Sequence, residues 1–261
     1  MIERRVALIT GGASGLAVQT VLALAREGID LVINYRESRE KAEALKQRVE
    51  REYGVFCELI QGDVTKREDC LKLAREARRL FGHVDILINN AGPYIFTRKK
   101  MVDYSFNEWE QVVQGNLSAV FYLCKELIPA MREKNWGRII NFGFNQANHA
   151  PGWVHRSAFA AAKVGLVSLT KTLALEEAEH GITVNMICPG DIVAENKEKR
   201  IGEVRGKDAP GIAPVGRAGT GEDIARVVSF LCAPDSDFIT GSVIEVSGGF
   251  DVLRKRGDFR S

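Results

Sequence analysis

The sequence predicts a single-domain α/β fold, a seven-stranded parallel sheet with helices on both faces, and three observations carry that expectation. Short apolar, β-branched runs alternate with longer segments of helical period from one end of the chain to the other. Most of the runs are nearly continuous in apolar residues, as strands covered on both faces must be. A glycine-rich turn follows the first run directly and opens the first helix.

In chain order, Val6-Ala7-Leu8-Ile9 makes the first strand, near 5-9, and a helix follows over about 15-27. Strands near 30-35, 55-60 and 84-89 alternate with helices near 38-52 and 66-81. A long helical pattern over 106-133 precedes a strand at 137-142, and helix 157-180 precedes a strand at 182-187. Helix 221-232 and strand 242-246 complete the pattern. No Pro/Gly/Ser-rich linker, repeat or low-complexity tract divides residues 1-261, so one domain is expected. The exception is 191-215, where Glu195 to Arg200 is highly charged and Pro210, Gly211 and Pro214 interrupt regular structure. That segment reads either as a flexible flap over a ligand site or as a solvated surface loop, and local chemistry favours the loop.

Composition excludes several classes. The 261 residues suffice for a sizeable core, and Lys+Arg of 36 against Asp+Glu of 34 lacks the basic excess of a nucleic-acid binder. The five cysteines include no C-x-x-C pair, which fits reduced, mostly buried thiols. The first apolar run is too short for a signal peptide and no charge-free stretch reaches membrane-spanning length, so a cytoplasmic location without a membrane partner is the default expectation. No His/Cys/carboxylate spacing suggests a metal. His83 and His180 each lie beside a glycine at a helix end, where capping accounts for them.

The turn Thr10-Gly11-Gly12-Ala13-Ser14-Gly15-Leu16-Ala17 joins the first strand to its helix. Glycines there let backbone N–H groups approach a pyrophosphate, and the helix N-terminus adds partial positive charge. Each glycine alone fits tight packing equally well. After the second strand an acidic residue would bond the adenosine ribose, whereas an arginine suits a 2′-phosphate. The sequence there is Asn34-Tyr35-Arg36-Glu37-Ser38-Arg39, so Arg36 favours NADP(H) over NAD(H).

Four further segments, Gly62-Asp63-Val64, Asn89-Asn90-Ala91-Gly92, Asn185 to Gly190, and Ile239-Thr240-Gly241 running to Gly248-Gly249, complete a pattern. Together with Thr10 to Gly15 they resemble the short-chain dehydrogenase/reductase family over about residues 5-249, and among its members the β-ketoacyl-acyl carrier protein reductase-like group. The resemblance implies a Rossmann sheet with nucleotide along the C-terminal strand edges. It implies that Thr10, Gly11, Ser14, Gly15 and Leu16 form the pyrophosphate turn, that Asp63 and Val64 meet the adenine, and that Asn90, Ala91 and Gly92 line the ribose. It places Lys163 against the cofactor, and Pro189 and Gly190 beside the nicotinamide.

The family's chemistry uses a Tyr-x-x-x-Lys helix segment, a serine after the fifth strand and an asparagine on the preceding long helix. Asn116 and Lys163 match the asparagine and the lysine. Phe159 stands at the tyrosine position and Phe144 at that of the serine, and no serine lies between Ile139 and Arg156. Loss of a positioned acid costs about 10²- to 10⁴-fold in rate, so ordinary carbonyl reduction is expected to be very weak or absent. Ala17, where the family has a third loop glycine, and Ala194, where a threonine often meets the nicotinamide amide, are expected to weaken cofactor binding.

Tyr94, Tyr104, His149, His155 and Ser157 are candidate substitute donors, His155 first among them because imidazole titrates near neutral pH. For each, a structural role is the better reading. Phe142, Phe144, Trp153 and Phe159 suit an apolar ligand pocket or a core about equally. Two functions remain: an NADP(H)-linked oxidoreductase with an unusual proton donor, or a catalytically silent nucleotide or ligand sensor or scaffold. The helices near 106-133 and 157-180 resemble those through which family members pair, so a homodimer or homotetramer is expected.

Overall fold

The computed structural model describes residues 4–206 and 213–249. Seven strands, β1 (Val6–Ile9), β2 (Asp30–Tyr35), β3 (Cys57–Gln61), β4 (Ile86–Asn89), β5 (Gly137–Phe142), β6 (Ile182–Pro189) and β7 (Val243–Val246), form one sheet in the order β3-β2-β1-β4-β5-β6-β7. Every pairing is parallel. Each strand boundary falls within two residues of the sequence expectation. Strand order reverses between β1 and β4, and the crevice at such a switch point lies outside the strands' carboxyl ends.

Helices α1 (Leu16–Arg26), α2 (Arg39–Tyr53) and α8 (Gly221–Cys232) cover one face, burying Val21, Leu45 and Ile224 with Ile9, Ile33 and Ile140. Helices α3 (Arg67–Phe81), α5 (Ala119–Lys134) and α6 (Ser157–Glu176) cover the other, where Leu73, Leu123 and Leu166 meet Leu8, Leu87 and Val184. Each such side chain, fully removed from water, contributes about 1.5–3 kcal/mol of transfer free energy. All five cysteines are buried and unpaired. Among the described helices α6 alone is long and apolar enough to cross a membrane by length and composition. Here it is a core helix, with Ala162, Lys163, Leu166 and Thr170 buried.

The long helix expected over 106-133 is interrupted. Helix α4 (Phe106–Val113) passes into a π-helical turn, Gln114–Ser118, before α5 begins. The widened turn lets the chain close on the loop after β4: a Cβ on Gly115 would lie 2.3 Å from Pro93 Cδ, and one on Gly92 2.2 Å from Asn116 Oδ1. Such turns are frequent at functional sites. The 191-215 segment also holds more structure than its charge suggests, with a 3₁₀ turn at Ala194–Asn196 and a short helix α7 (Ile201–Val204). Pro210 and Gly211 lie outside the described residues.

Candidate active site

The first part of the site is made largely by backbone. β1 brings Thr10 to the sheet edge, and the chain turns at Gly11 and Gly15, whose φ angles of 60° and 67° favour glycine. Thr10 Oγ1 accepts the N–H groups of Asn90 and Ala91, each at 3.0 Å. Asn90 Nδ2 donates to the carbonyls of Thr10 at 3.0 Å and Gly11 at 3.3 Å. Asn34, at the end of β2, accepts the Gly11 N–H at 3.2 Å and donates to the carbonyls of Ile60 and Gly62. The C-terminal ends of four strands are thereby tied around one turn.

Beside the turn opens a cleft of about 1300 Å³, lined by Gly11, Ser14, Asp63, Val64, Ala91 and Gly92. Arg36 and Ser38 line its outer end. The Arg36 guanidinium is solvent-facing, with Nε 3.0 Å from Glu37 Oε1. Arg39 pairs instead with Glu43 at 2.8 Å, turned along α2. Asp63 Oδ1 accepts the N–H of Thr65 at 2.9 Å and its hydroxyl at 2.8 Å, which fixes the loop after β3.

A second cleft, about 1580 Å³ and open to solvent, adjoins the first, and Gly92, Tyr94, Phe96 and Lys197 line both. Its floor is aromatic. Phe144 lies 4.9 Å from Trp153 and 6.1 Å from Phe159, ring centre to ring centre. Tyr94 meets Phe159 edge-on at 5.0 Å, a geometry that aromatic quadrupoles favour. Phe142, Leu16, Pro189 and Gly190 complete the wall, so the four aromatics of 142–159 serve both core and cleft.

Lys163 rises from α6 into this floor. Its Nζ donates to the Phe142 carbonyl at 2.6 Å and stands 5.7 Å from the Phe159 ring centre. Burial pushes its pKa down to about 8, a shift partly offset by the neighbouring Cys188, whose own thiol is pushed up to about 12 by burial. Asn116, in the π-helical turn, donates Nδ2 to the carbonyls of Pro93 at 2.8 Å and Val112 at 2.9 Å. Its Oδ1 is buried without a hydrogen-bond partner, beside Gly92.

Of the candidate donors, Tyr94 and His155 line the second cleft, and Tyr104, His149 and Ser157 do not. The Tyr94 hydroxyl accepts a hydrogen bond from Arg156 Nε. The Tyr104 hydroxyl donates to the His155 carbonyl at 3.3 Å, and His155 itself has a φ of 64° with Nδ1 buried and unpartnered. His83 does more than sit beside a helix end: its Nε2 lies 3.1 Å from Asp85 Oδ2.

Residues 11–251 match the family model described as Enoyl-(Acyl carrier protein) reductase. The chain belongs to the short-chain dehydrogenase/reductase family. The 3-oxoacyl-[acyl-carrier-protein] reductase FabG of Staphylococcus epidermidis is 35% identical over 243 residues, covering 93% of this chain and 97% of the relative. A solved Bacillus thuringiensis structure, provisionally a 3-oxoacyl-reductase, is 52% identical, with a TM-score of 0.89 over 96% of this chain and 100% of its own. A blue fluorescent protein from a metagenomic library, solved in complex with NADPH, is 30% identical, with a TM-score of 0.81 over 94% of this chain and 97% of its own.

For a short-chain dehydrogenase/reductase, then, sequence reasoning gathered most of the residues that meet at the two clefts. It did not find Asn34, Arg156, Lys197 or the Glu198 carboxylate, which accepts the Gly15 N–H at 2.9 Å. Asn34, Arg156 and Glu198 carry no local signal for these contacts, because Gly11, Tyr94 and Gly15 lie at least 23 residues away in sequence. The weakening of cofactor binding expected from Ala17 finds no support in its placement: its methyl is fully buried among the core residues under α1 and lines neither cleft. The side chain of Ala194 lies outside what the structure describes.

Proposed function

We propose that this chain is an NADP(H)-binding oxidoreductase homologue in which ordinary carbonyl reduction is very weak or absent, because Phe144 and Phe159 stand where the family's serine and tyrosine would. The floor of the reaction cleft carries the reading. Among its described lining residues the one side-chain hydroxyl is that of Tyr94, on the loop after β4, and the positions matched to the family's serine and tyrosine carry none. Carbonyl reduction needs a proton donor beside the developing alkoxide, and three aromatic rings occupy that place.

The residues fit a dinucleotide. Gly11, Gly15 and Gly92 keep open a cradle that a Cβ would narrow or strain. Ser14 and Gly15 would face the pyrophosphate, Asp63 and Val64 the adenine, Asn90 to Gly92 the ribose, and Pro189 and Gly190 the nicotinamide. Arg36 at the outer end suits a 2′-phosphate, and the NADPH complex of a structural relative supports that preference. Bound NADP(H) supplies a hydride. Lys163 places a positive charge at the floor, Asn116 offers an unpartnered acceptor, and proton delivery falls to solvent, His155 or Tyr94.

The apolar floor also supports the second reading, a silent sensor or scaffold that holds nucleotide or an apolar ligand. A homo-oligomer belongs to either reading, since Phe106, Trp109 and Phe121 are exposed on α4 and α5. Solution mass would test it, two or four times 28.8 kDa being expected and a monomer contradicting it.

NADPH oxidation by a panel of ketones, 3-oxoacyl thioesters and enones tests the central reading. The expected outcome is ketone turnover roughly 10²- to 10⁴-fold below that of an intact reductase. Turnover equal to an intact enzyme would refute it, and efficient enone reduction alone would favour the divergent enzyme over the silent one.

A further inference from the structure

The segment after β6 holds a carboxylate where a nucleotide phosphate is expected. Glu198 Oε1 accepts the N–H of Gly15, the residue capping α1, at 2.9 Å. Amides at a helix N-terminus lack intrahelical partners and favour an anion, which is why a pyrophosphate suits this turn. The carboxylate and the phosphate therefore compete for one donor.

The strap that carries Glu198 is fixed independently of that carboxylate. Gln19 Nε2, one turn along α1, donates to the Glu198 main-chain carbonyl at 2.6 Å. On the other side the Ile201 N–H donates to Glu222 Oε2 at 2.6 Å, which ties the strap to α8. Gly221, at the start of α8, permits the approach, since a Cβ there would lie 1.9 Å from the Lys197 carbonyl oxygen. Lys197 lines both clefts at their junction, and among the described residues its ammonium has no ion-pair partner.

We propose that Glu198 and Lys197 form an exchangeable latch on the pyrophosphate turn: Glu198 is a built-in anion that the dinucleotide displaces, and Lys197 pairs with the phosphate that replaces it. The proposal rests on the NADP(H)-binding reading. A latch closed nine-tenths of the time weakens apparent affinity about tenfold, because only the open fraction binds. The strap thus sets how much nucleotide the protein needs, while the glycine turn sets which groups it accepts.

Two measurements on the full chain, for the wild type, Glu198→Ala and Lys197→Ala, test this. The first is hydrogen exchange of the Gly15 amide by NMR without nucleotide, and the second is calorimetric titration with NADPH. Glu198→Ala is expected to speed Gly15 exchange and to tighten NADPH binding about tenfold. Lys197→Ala is expected to leave Gly15 exchange unchanged and to weaken NADPH binding. Unchanged Gly15 exchange in Glu198→Ala would overturn the latch, as would unchanged or weaker NADPH binding. Wild-type affinity in Lys197→Ala would overturn the role of the lysine. Faster Gly15 exchange with no NADPH binding by any of the three proteins would instead refute the nucleotide reading, and the exchange with phosphate along with it, while the Glu198 contact itself would stand.

Discussion

The two clefts of this molecule share an edge and are made of different material. The cleft beside the glycine turn, proposed to take the nucleotide, is shaped by main-chain amides and carbonyls tied together by Thr10, Asn34 and Asn90, so most of its form follows from the parallel sheet itself. The second cleft, proposed to be the place of reaction, is shaped by side chains on one strand end, one loop and one helix, with Phe144, Trp153 and Phe159 at its floor. A site made of backbone survives sequence change as long as the fold does, whereas a site made of two hydroxyls is lost with two substitutions. On the proposed reading, one chain keeps the first kind of site and has changed the second.

The largest expected effect would erase that difference. Phe144→Ser with Phe159→Tyr should raise NADPH-dependent 3-oxoacyl thioester reduction by roughly 10²- to 10⁴-fold. Phe144 is buried, so its truncation should cost about 3–5 kcal/mol in urea unfolding. If that variant does not fold, Phe159→Tyr alone, which keeps the ring, should still produce a measurable rate. No gain in a folded, NADPH-binding variant would mean that the floor differs by more than two hydroxyls.

A second test sharpens the electrostatic side. Lys163 has a folded-state pKa of about 8 against an ordinary value of 10.5, so between these pH values the unfolded chain binds more protons than the folded one. Its contribution therefore stabilises progressively as pH rises from about 8 to 10.5, by up to about 3 kcal/mol. The buried thiols act with the opposite sign above about pH 9, because burial raises their pKa values and the unfolded chain loses their protons first. The difference in unfolding free energy between wild type and Lys163→Met isolates the lysine. A pH-independent difference would contradict the burial argument.

Where the two clefts meet, Gly92→Ala should cost about 1–3 kcal/mol, because its methyl must displace Asn116 Oδ1. A melting temperature equal to wild type would show that the π-helical turn yields freely. The smallest effect belongs to the outer end of the nucleotide cleft. Arg36→Ala should weaken NADPH by up to about fivefold and leave NADH unchanged, since an exposed charge pair contributes about 1 kcal/mol at most. Equal losses for both nucleotides would assign Arg36 no part in phosphate selection.

How far the sequence could be read divides along the same line. Strands such as Ile86–Asn89 and Gly137–Phe142 announce themselves because burial on both faces forces apolar runs. The glycine turn follows from its place between strand and helix, while Asn116 and Lys163 were picked out only through the family resemblance. The break in the 106-133 helix was not, because it is made by the close approach of Gly92 and Gly115 to residues across the loop. Charges at 195–200 read locally as a solvated surface, yet Glu198 closes on Gly15, 183 residues earlier in the chain. Ala17 was misplaced for a related reason: spacing locates a residue on a turn, while packing decides which way its methyl points.

The most direct test of the central claim is a calorimetric titration of the wild-type protein with NADPH, and with NADH for comparison. Micromolar binding that favours NADPH, with little or no ketone turnover, is the result this account expects. Absence of binding for both nucleotides up to millimolar concentration would contradict it and leave a Rossmann-shaped interaction protein.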